Sequence, residues 1–242
     1  MTGATAGIGL ATAEAFAALG WRVAIGARRH ERLASAVKAV ENAGGRGFGH
    51  PLDVSDPDSV EAFCTAAEKA LGPVHVLVNN AGGARPGKLH ELAVADIFAA
   101  VASSLLGSLY VTRRVLQGML AHGEGGDVVF ISSRAAALAW PRNAPYGAAK
   151  AGVENAAAAL RGELEGTGIR STLVRVGDTV TEFGSAWTPD QMADVGYWHQ
   201  IGLVKGAVMQ PADVAAAVVA AVAAPRGVAL ETIVVNPQPP KA

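Results

Sequence analysis

Three side chains, Ser133, Tyr146 and Lys150, have the residue types and the spacing of a proton-transfer site. Positions i and i+4 of a helix share a face, so we expect the ammonium group of Lys150 to lie beside the phenol of Tyr146 and to lower its pKa. A free tyrosine, with a pKa near ~10, is a poor base at neutral pH. The pair alone also fits two ordinary surface residues of a helix, so the prediction needs support from other parts of the sequence.

A glycine-rich segment, residues 2–9 (Thr-Gly-Ala-Thr-Ala-Gly-Ile-Gly), leads directly into an apolar helical pattern. Glycines let the backbone approach a pyrophosphate closely, and the amide groups at a helix start attract its charge. The spacing Gly-x-x-x-Gly-x-Gly differs from the common dinucleotide fingerprint Gly-x-Gly-x-x-Gly but meets the same physical need. In a chain with 29 Gly, a flexible N-terminus is the alternative interpretation.

Taken together, these residues resemble the short-chain dehydrogenase/reductase family, in its short single-domain branch, over essentially the whole chain. The resemblance also covers Asp53-Val54, residues 79–82 (Asn-Asn-Ala-Gly) and residues 177–181. It implies a nicotinamide-dependent oxidoreductase that interconverts a ketone or aldehyde and an alcohol. In the implied mechanism, Ser133 binds the substrate oxygen and Tyr146 gives or takes its proton. Lys150 lowers the pKa of the phenol and binds the nicotinamide ribose.

The resemblance further implies a set of cofactor contacts: Thr2, Gly3, Thr5, Gly7, Ile8, Gly9, Arg28, Arg29, Asp53, Val54, Asn79, Ala81, Gly82, Tyr146, Lys150, Gly177, Thr179 and Thr181. In this set Asp53 and Val54 would contact the adenine, and Thr181 would hold the nicotinamide carboxamide. Asp53 has an alternative role as a cap at the end of a strand. Val176 replaces the proline that usually precedes this glycine in the family, which loosens the turn. No metal site is expected.

The end of the second strand predicts which cofactor is used. An NAD-specific site needs a carboxylate there to accept the adenosine ribose hydroxyls, but Ala27 holds the position. Arg28 and Arg29 follow, and guanidinium groups bind a 2′-phosphate through charge-assisted hydrogen bonds. NADP(H) is therefore favoured over NAD(H), although these arginines also fit the solvated start of the next helix.

Ser104 is a departure from the family pattern. The family places a catalytic Asn in a helical Asn-x-x-Gly motif, where it helps to hold a proton-relaying water, and here residues 104–107 are Ser-Leu-Leu-Gly. Serine can bond a water but lacks the paired donor and acceptor of an amide. We therefore place Ser104 with the catalytic residues and expect a changed, slower or lost proton relay.

The predicted fold class is α/β, a single-domain Rossmann-like doubly wound parallel sheet flanked by helices over residues 1–242. Short β-branched apolar runs alternate with longer alanine-rich stretches, which is typical of βαβ units. The predicted strands are Trp21 to Gly26, Gly47 to Leu52, Val74 to Asn79, Asp127 to Ser132, Ile169 to Val176 and Thr232 to Asn236.

The first strand of this fold should be largely missing, because Met1 directly precedes the glycine turn. In the family that strand is central and buried on both faces, so its loss would remove ladder hydrogen bonds and apolar contacts from the core. We therefore expect that the start codon has been misplaced and that the real strand is encoded upstream. The alternative is a chain that shifts its strands or borrows contacts from a partner.

Composition limits the class of protein. With 242 residues, 50% hydrophobic, the chain can bury one large core, and its formal net charge of −1 argues against nucleic-acid binding. The single Cys64 excludes an internal disulfide. We see no charged and apolar leader and no long uncharged apolar span, so a cytoplasmic protein without membrane contact is expected. The family resemblance suggests a homodimer or homotetramer.

Residues 182–209 should form the substrate lid, since this stretch covers the nicotinamide in the family. It contains Phe183, Trp187, Tyr197 and Trp198, with Met192 and Met209, in a chain that is only 5% aromatic. Trp140 and Arg142 would add to the wall. Such residues can line an apolar pocket, although packing on the sheet or on a partner subunit explains them equally well. We expect a carbonyl or alcohol substrate on a largely apolar skeleton.

Two other functions remain open at this stage. One is a nucleotide-binding scaffold or redox sensor with little turnover, which Ser104 and Val176 make plausible and the intact Ser133, Tyr146 and Lys150 argue against. The other is a sugar-nucleotide epimerase or dehydratase, for which the chain is short.

Overall fold

A parallel sheet lies between two layers of helices in the computed structural model, which describes residues 1–204 and 206–238. The strands are β1 (Arg22–Ala27), β2 (Arg46–Pro51), β3 (Val76–Asn79), β4 (Gly126–Ser133), β5 (Ile169–Val176) and β6 (Thr232–Val235). β1 pairs with β2, and β3 to β6 pair in chain order, all in parallel. The predicted Rossmann-like α/β class is confirmed.

The first three residues join the two parts of the sheet. Met1 O accepts from Gly26 N at 3.0 Å, and Gly3 N donates to Gly26 O at 2.8 Å. On the other side Thr2 N donates to Val78 O at 3.2 Å. A single parallel bridge at Thr2 therefore lies between β1 and β3, where the sequence predicts a first strand that is largely missing.

Helices cover both faces of the sheet. They are α1 (Gly7–Ala17), α2 (Leu33–Asn42), α3 (Pro57–Leu71), α4 (Val94–Val101), α5 (Gly107–His122), α6 (Arg134–Ala137), α7 (Ala144–Glu163), α8 (Pro189–Gln200) and α9 (Pro211–Ala223). On one face α1, α2 and α9 form a core that includes Phe16 and Val218. On the other face α3, α5 and α7 pack around Phe63 and Val153. The two cores bury the central strands β4 and β5 almost completely, which leaves the strand ends to carry the site.

A π-helical turn, Ala102–Leu106, joins α4 and α5 into one continuous helix, Val94–His122. This helix is long and apolar enough, by length and composition alone, to cross a membrane. The sequence analysis expects no long uncharged apolar span, and this helix contains the charged residues Asp96, Arg113 and Arg114. The helix contacts α3, α7 and β3, and packed helices of soluble domains meet the same criterion.

Candidate active site

The glycine turn, residues 2–9, is fastened to the end of β3 by two side chains. Thr2 Oγ1, which is buried, accepts from the backbone N–H groups of Asn80 and Ala81, each at 3.0 Å. Asn80 Nδ2 donates to the carbonyl oxygens of Thr2 and Gly3 at 3.1 and 3.0 Å. Asn80 was quoted in the family motif but not predicted as a site residue. Its contacts make it a positioning residue of the turn.

The turn leaves no room for side chains. Gly3 has a φ of +63°, and a Cβ there would lie 2.9 Å from the Cα of Ala81. A Cβ on Gly9 would lie 2.5 Å from the carbonyl oxygen of Gly3. Gly7, with a φ of +54°, begins α1, so the N–H groups of the first helical turn are available to an anion. The predicted pyrophosphate cradle fits this backbone.

Ser133, Tyr146 and Lys150 are brought together by the end of β4 and the first turns of α7. Ser133 Oγ accepts from Ala135 N at 3.2 Å and so caps α6. Tyr146 and Lys150 lie on α7, and Lys150 Nζ is 5.8 Å from the centre of the Tyr146 ring. Lys150 Nζ, which is buried, donates to Ile131 O at 2.8 Å. That bond ties the helix to β4 and fixes the amine near the phenol.

The pKa values of the pair are moved by burial. Burial raises the pKa of Tyr146 to about 12, and a hydrogen bond with Ser133 acts in the opposite direction. Burial lowers the pKa of Lys150 to about 8. Burial of the phenol dominates, so the pKa of Tyr146 is raised where the sequence predicts that Lys150 lowers it. Tyr146 is therefore neutral, with its phenol protonated, at physiological pH.

Ser104 lies in the π-helical turn and points toward Lys150. Its side chain is fully buried, and its Oγ has no hydrogen-bond partner among the described residues. A Cβ on Gly82 would lie 2.9 Å from Ser104 Oγ and 3.5 Å from Lys150 Nζ. The hydroxyl and the amine thus converge on one point of the site. An unpaired buried hydroxyl is costly, which favours a function for Ser104.

The arginines after β1 contact the lid. Ala27 is buried at the end of the strand, and Arg28 is exposed. Arg29 Nη1 donates to Glu182 Oε2 at 2.5 Å, and Arg32 Nη1 reaches both Glu182 carboxylate oxygens at 2.7 Å. The sequence analysis did not predict Glu182 as a partner of these arginines.

Asp53 has the turn-capping role that the sequence left open. Its Oδ1 accepts from the backbone N–H and the hydroxyl of Ser55 at 3.0 and 2.6 Å. Burial raises the pKa of Asp53, but these hydrogen bonds and the charge of Arg28 outweigh it and hold that pKa below its usual range. Val54, the next residue, lies under α5: a Cβ on Gly107 would come within 2.4 Å of Val54 Cγ2. These contacts fix the edge of the predicted adenine site.

Asn79, which the resemblance places among the cofactor contacts, links β3 to α5. Its Nδ2 donates to Thr112 Oγ1 at 2.8 Å, and both residues are buried.

The turn after β5 approaches the glycine turn. Thr181 Cβ lies 3.4 Å from the position of a Cβ on Gly7. Thr179 Oγ1 donates to Gly177 O at 3.0 Å, and the backbone of Thr179 forms a bridge with Met209. Met209 is buried in the core beside α1 and α9, which is the packing role that the sequence left open for it.

The predicted lid, residues 182–209, contains α8, and its Lys205 lies outside the described residues. A row of aromatic rings leads from Tyr146 into it. Phe183 lies 5.3 Å from the Tyr146 ring and 5.6 Å from Trp187, between ring centres. Trp198 follows at 6.4 Å from Trp187 and 5.1 Å from Trp140. The predicted aromatic residues therefore line the approach to the phenol.

Two tryptophans and one arginine anchor this row. Trp187 Nε1 donates to Ala84 O and Trp198 Nε1 to Pro141 O, both at 2.7 Å. Arg142 is held by Asp194 at 2.6 Å and lies 4.0 Å above the ring of Tyr197. Residues 182–209 and the rest of the domain are therefore joined by directed contacts near Tyr146.

Comparison with known proteins places this geometry among related enzymes. The family model for short chain dehydrogenases matches residues 1–192. The ketoacyl reductase assigned to the monensin polyketide synthase of Streptomyces virginiae is 41% identical over 171 residues, 70% of this chain and 65% of that protein. This chain spans 18 to 65% of the length of three curated relatives.

Solved structures show the same fold. An actinorhodin polyketide ketoreductase with NADPH superposes with a TM-score of 0.86 at 32% identity, covering 98% of this chain and 94% of the other. A short chain dehydrogenase/reductase from Burkholderia phymatum in complex with NAD gives a TM-score of 0.86 at 27% identity, covering 97% of this chain and 86% of the other.

Proposed function

Since the chain belongs to the short-chain dehydrogenase family, we propose that it is an NADP(H)-dependent oxidoreductase that interconverts a ketone or aldehyde and an alcohol. The observation that carries the proposal is the convergence of Ser133, Tyr146 and Lys150 at one edge of the sheet. The position of a Cβ on Gly82 lies 3.5 Å from Lys150 Nζ, and the preceding Ala81 is bonded to Thr2 of the glycine turn. The proton-transfer residues and the phosphate cradle thus belong to one site.

The nicotinamide, when bound, supplies the hydride chemistry. In the reducing direction the Ser133 hydroxyl donates a hydrogen bond to the substrate carbonyl. Tyr146, whose raised pKa keeps it protonated, gives its proton to the oxygen as negative charge develops there. Lys150, held by Ile131 O, places its amine where it can bind the nicotinamide ribose and return a proton to the phenol. Ser104 lies beside this return path.

The preference for NADP(H) rests on the end of β1. Ala27 offers no carboxylate for the ribose hydroxyls, while Arg28 and Arg29 follow at once. Arg29 Nη2 also lies 3.5 Å from Thr5 Oγ1 in the glycine turn, which puts its charge beside the cradle. A 2′-phosphate in this place would meet guanidinium groups and no opposing carboxylate from β1.

The row Tyr146, Phe183, Trp187, Trp198 and Trp140 favours a substrate with a largely apolar skeleton. Aromatic rings offer large apolar contact areas and little charge. The ketoacyl reductases among the relatives are consistent with a ketone on such a skeleton.

A panel of ketones, aldehydes and alcohols, assayed with both cofactors by nicotinamide absorbance, tests the proposal. We expect turnover of apolar carbonyl compounds, and tighter binding of NADPH than of NADH. Tyr146→Phe should lower turnover by about 10²-fold or more, the size of a general-acid contribution, while NADPH binding stays within twofold or so of the unmodified protein.

Two results would contradict this function. Nucleotide binding without turnover of any compound would favour the scaffold or sensor. Full activity of Tyr146→Phe would show that Tyr146 does not donate the proton.

A further inference from the structure

Glu182, the first residue of the predicted lid, forms ion pairs with Arg29 and Arg32, which follow β1. Its carboxylate accepts from Arg29 at 2.5 Å and from Arg32 at 2.7 Å. The hydrogen bonds from Arg29 and Arg32 hold the pKa of Glu182 below its usual range, so the carboxylate is charged. Arg28 has no hydrogen-bond partner among the described residues and remains exposed. Of the arginines available for a 2′-phosphate, two are therefore already paired.

The position of this ion pair is next to the cofactor cradle. Arg29 reaches toward Thr5 of the glycine turn, and Thr181, the neighbour of Glu182, lies against Gly7. A 2′-phosphate carries up to two negative charges and needs the same N–H donors. A carboxylate and a phosphate on the same guanidinium groups would repel each other, so only one can hold them.

We propose that Glu182 is a specificity-determining residue whose carboxylate competes with the 2′-phosphate of NADP(H) for Arg29 and Arg32. When NADP(H) binds, its 2′-phosphate pairs with Arg29 and Arg32, and Glu182 at the start of the lid loses its ion pairs. When NAD(H) binds, Glu182 keeps them. The inference rests on the proposed NADP(H)-dependent function and adds a link between cofactor identity and lid position.

Dissociation constants for NADPH and NADH, measured by titration calorimetry, test this competition. Glu182→Gln keeps the size of the side chain and removes its charge. We expect it to tighten NADPH binding by about two- to fivefold, the size of an exposed ion pair, and to leave NADH unchanged. Glu31→Gln is the matched control, because Glu31 lies near Arg32 but makes no hydrogen bond to it among the described residues.

The ratio of the two dissociation constants separates the two hypotheses. If Glu182→Gln does not change the ratio, or if Glu31→Gln changes it equally, the competition is wrong. The unmodified protein could bind NADPH and NADH equally while Glu182→Gln prefers NADPH. That result would support the competition and would show that the proposed NADP(H) preference of the unmodified protein is wrong. Hydrogen exchange gives a second measurement: NADPH, and not NADH, should accelerate exchange in peptides that begin at residue 182.

A separate cluster lies at the opposite, amino-terminal edge of the sheet. His75 precedes β3, His122 ends α5, and Glu124 follows it. One ligand atom from each of the three lies within 4.8 Å of the other two. His75 Nε2 is 2.8 Å from Glu124 Oε2, and the two imidazole centres are 5.0 Å apart.

The hydrogen bonds of His122 fix the orientation of its ring and its tautomer. Its Nε2 lies 3.2 Å from Val74 O, and its Nδ1 lies 3.2 Å from Glu124 N. A carbonyl oxygen can only accept, so Nε2 carries the hydrogen, and the Nδ1 lone pair, which accepts from Glu124 N, is the one that a metal ion would take over. Backbone carbonyls orient metal-binding histidines in the same way. The C-terminal end of α5 adds a partial negative charge.

We infer that His75, His122 and Glu124 form a binding site for a divalent transition metal such as Zn²⁺. Two imidazoles and one carboxylate suit Zn²⁺ and leave a fourth position for water. Ligand bonds of about 2.1 Å need ligand atoms about 3.4 Å apart, so small side-chain rotations complete the site. The ion would tie β3 to α5 at the edge away from Tyr146.

Thermal melts and titration calorimetry with ZnCl₂, on chelator-treated protein without a histidine tag, test this site. We expect saturable one-to-one binding and a melting temperature that rises with zinc concentration. His75→Gln and Glu124→Gln should abolish both effects, whereas His90→Gln should not, because His90 has only Glu91 as a neighbouring ligand. Absence of saturable binding, or equal binding by His75→Gln, would overturn the inference. Melts in chelator check that each variant folds.

Discussion

Ser104 offers a direct way to separate a catalytic contribution from a structural one. Its buried hydroxyl lacks a partner among the described residues, so Ser104→Ala should leave the free energy of unfolding unchanged or raise it by about 1 kcal/mol. If the hydroxyl serves the return of protons through Lys150, the same variant should lower the turnover rate. Ser104→Asn should maintain or raise that rate.

Urea unfolding and steady-state kinetics on the same variants check this prediction. A Ser104→Ala protein with normal turnover would show that the hydroxyl has no part in the proton relay. A marked loss of rate in a folded Ser104→Asn protein would show that serine has its own specialised function.

Lys150 should make the free energy of unfolding depend on pH in the alkaline range. Burial lowers its pKa from 10.5 to about 8, so between these values the unfolded chain binds more protons than the folded chain. Stability contributed by this group therefore rises with pH through that window. Tyr146 acts in the opposite direction above pH 10, because its pKa is raised to about 12 and the folded chain then keeps the extra proton.

The measurement is the free energy of unfolding between pH 7.5 and 9.5 for the unmodified protein and for Lys150→Met. The difference between the two curves should change by up to about 1.4 kcal/mol per pH unit, the limit for one proton. Lys88→Met, at an exposed lysine, is the control. Parallel curves for Lys150→Met and the unmodified protein would show that Lys150 does not titrate in this range.

Individual residues were predictable only where chemistry fixes their type. Ser133, Tyr146 and Lys150 stand at a spacing that a strand end and a helix impose, and the structure brings them together. Asn80 was missed as a site residue because it follows Asn79. The sequence does not show which of the two asparagines binds the glycine turn. Glu182 was missed because its partners are about 150 residues away. Such contacts depend on tertiary packing, which a local pattern does not contain.

Gly107 sets the distance between α5 and the end of β2. A Cβ there would lie 2.4 Å from Val54 Cγ2 and 3.1 Å from Val54 O, so Gly107→Ala must displace backbone. We expect a loss of about 1–3 kcal/mol in the free energy of unfolding, as in other overpacked cores. Gly162→Ala in α7 is the control, since nothing lies within 4 Å of its Cβ position and alanine favours a helix.

Urea unfolding of both variants checks this prediction. If Gly107→Ala is as stable as Gly162→Ala, then α5 has room to move away from Val54.

Elements were predicted well where their pattern is strong. Each predicted strand end lies within two residues of the observed end, and Ile169–Val176 agrees at both ends. The buried strands β3 and β4 contain continuous apolar runs, which is why they were found. The π-helical turn at Ala102–Leu106 was not predicted, because its composition does not differ from that of an α-helix. The turn packs against α7, a tertiary contact that local composition does not show.

At the scale of the molecule, the long helix Val94–His122 leaves apolar side chains in solvent. Val94 is 81% exposed and Phe98 68%, with Leu120 at 50%. Exposed apolar patches commonly mark interfaces. We expect a homodimer or homotetramer by light scattering, and a smaller species for Phe98→Asp. Leu19→Asp, which changes an exposed leucine outside this helix, should keep the larger size; a monomeric unmodified protein would contradict the prediction.

The π-helical turn also constrains how the chain can change in length. Gly107 N donates to Ala102 O, five residues back, so the turn holds one residue more than an α-helix needs. Deleting one residue between 102 and 106 would restore a regular helix and keep α5 close to its present orientation, whereas deleting one residue from a regular stretch of α4 would rotate all of α5 by about 100°. In that second case Val111, Val115 and Met119 would leave the core together. Over evolutionary time the π-helical turn can therefore lose one residue, while the regular stretches on either side of it cannot.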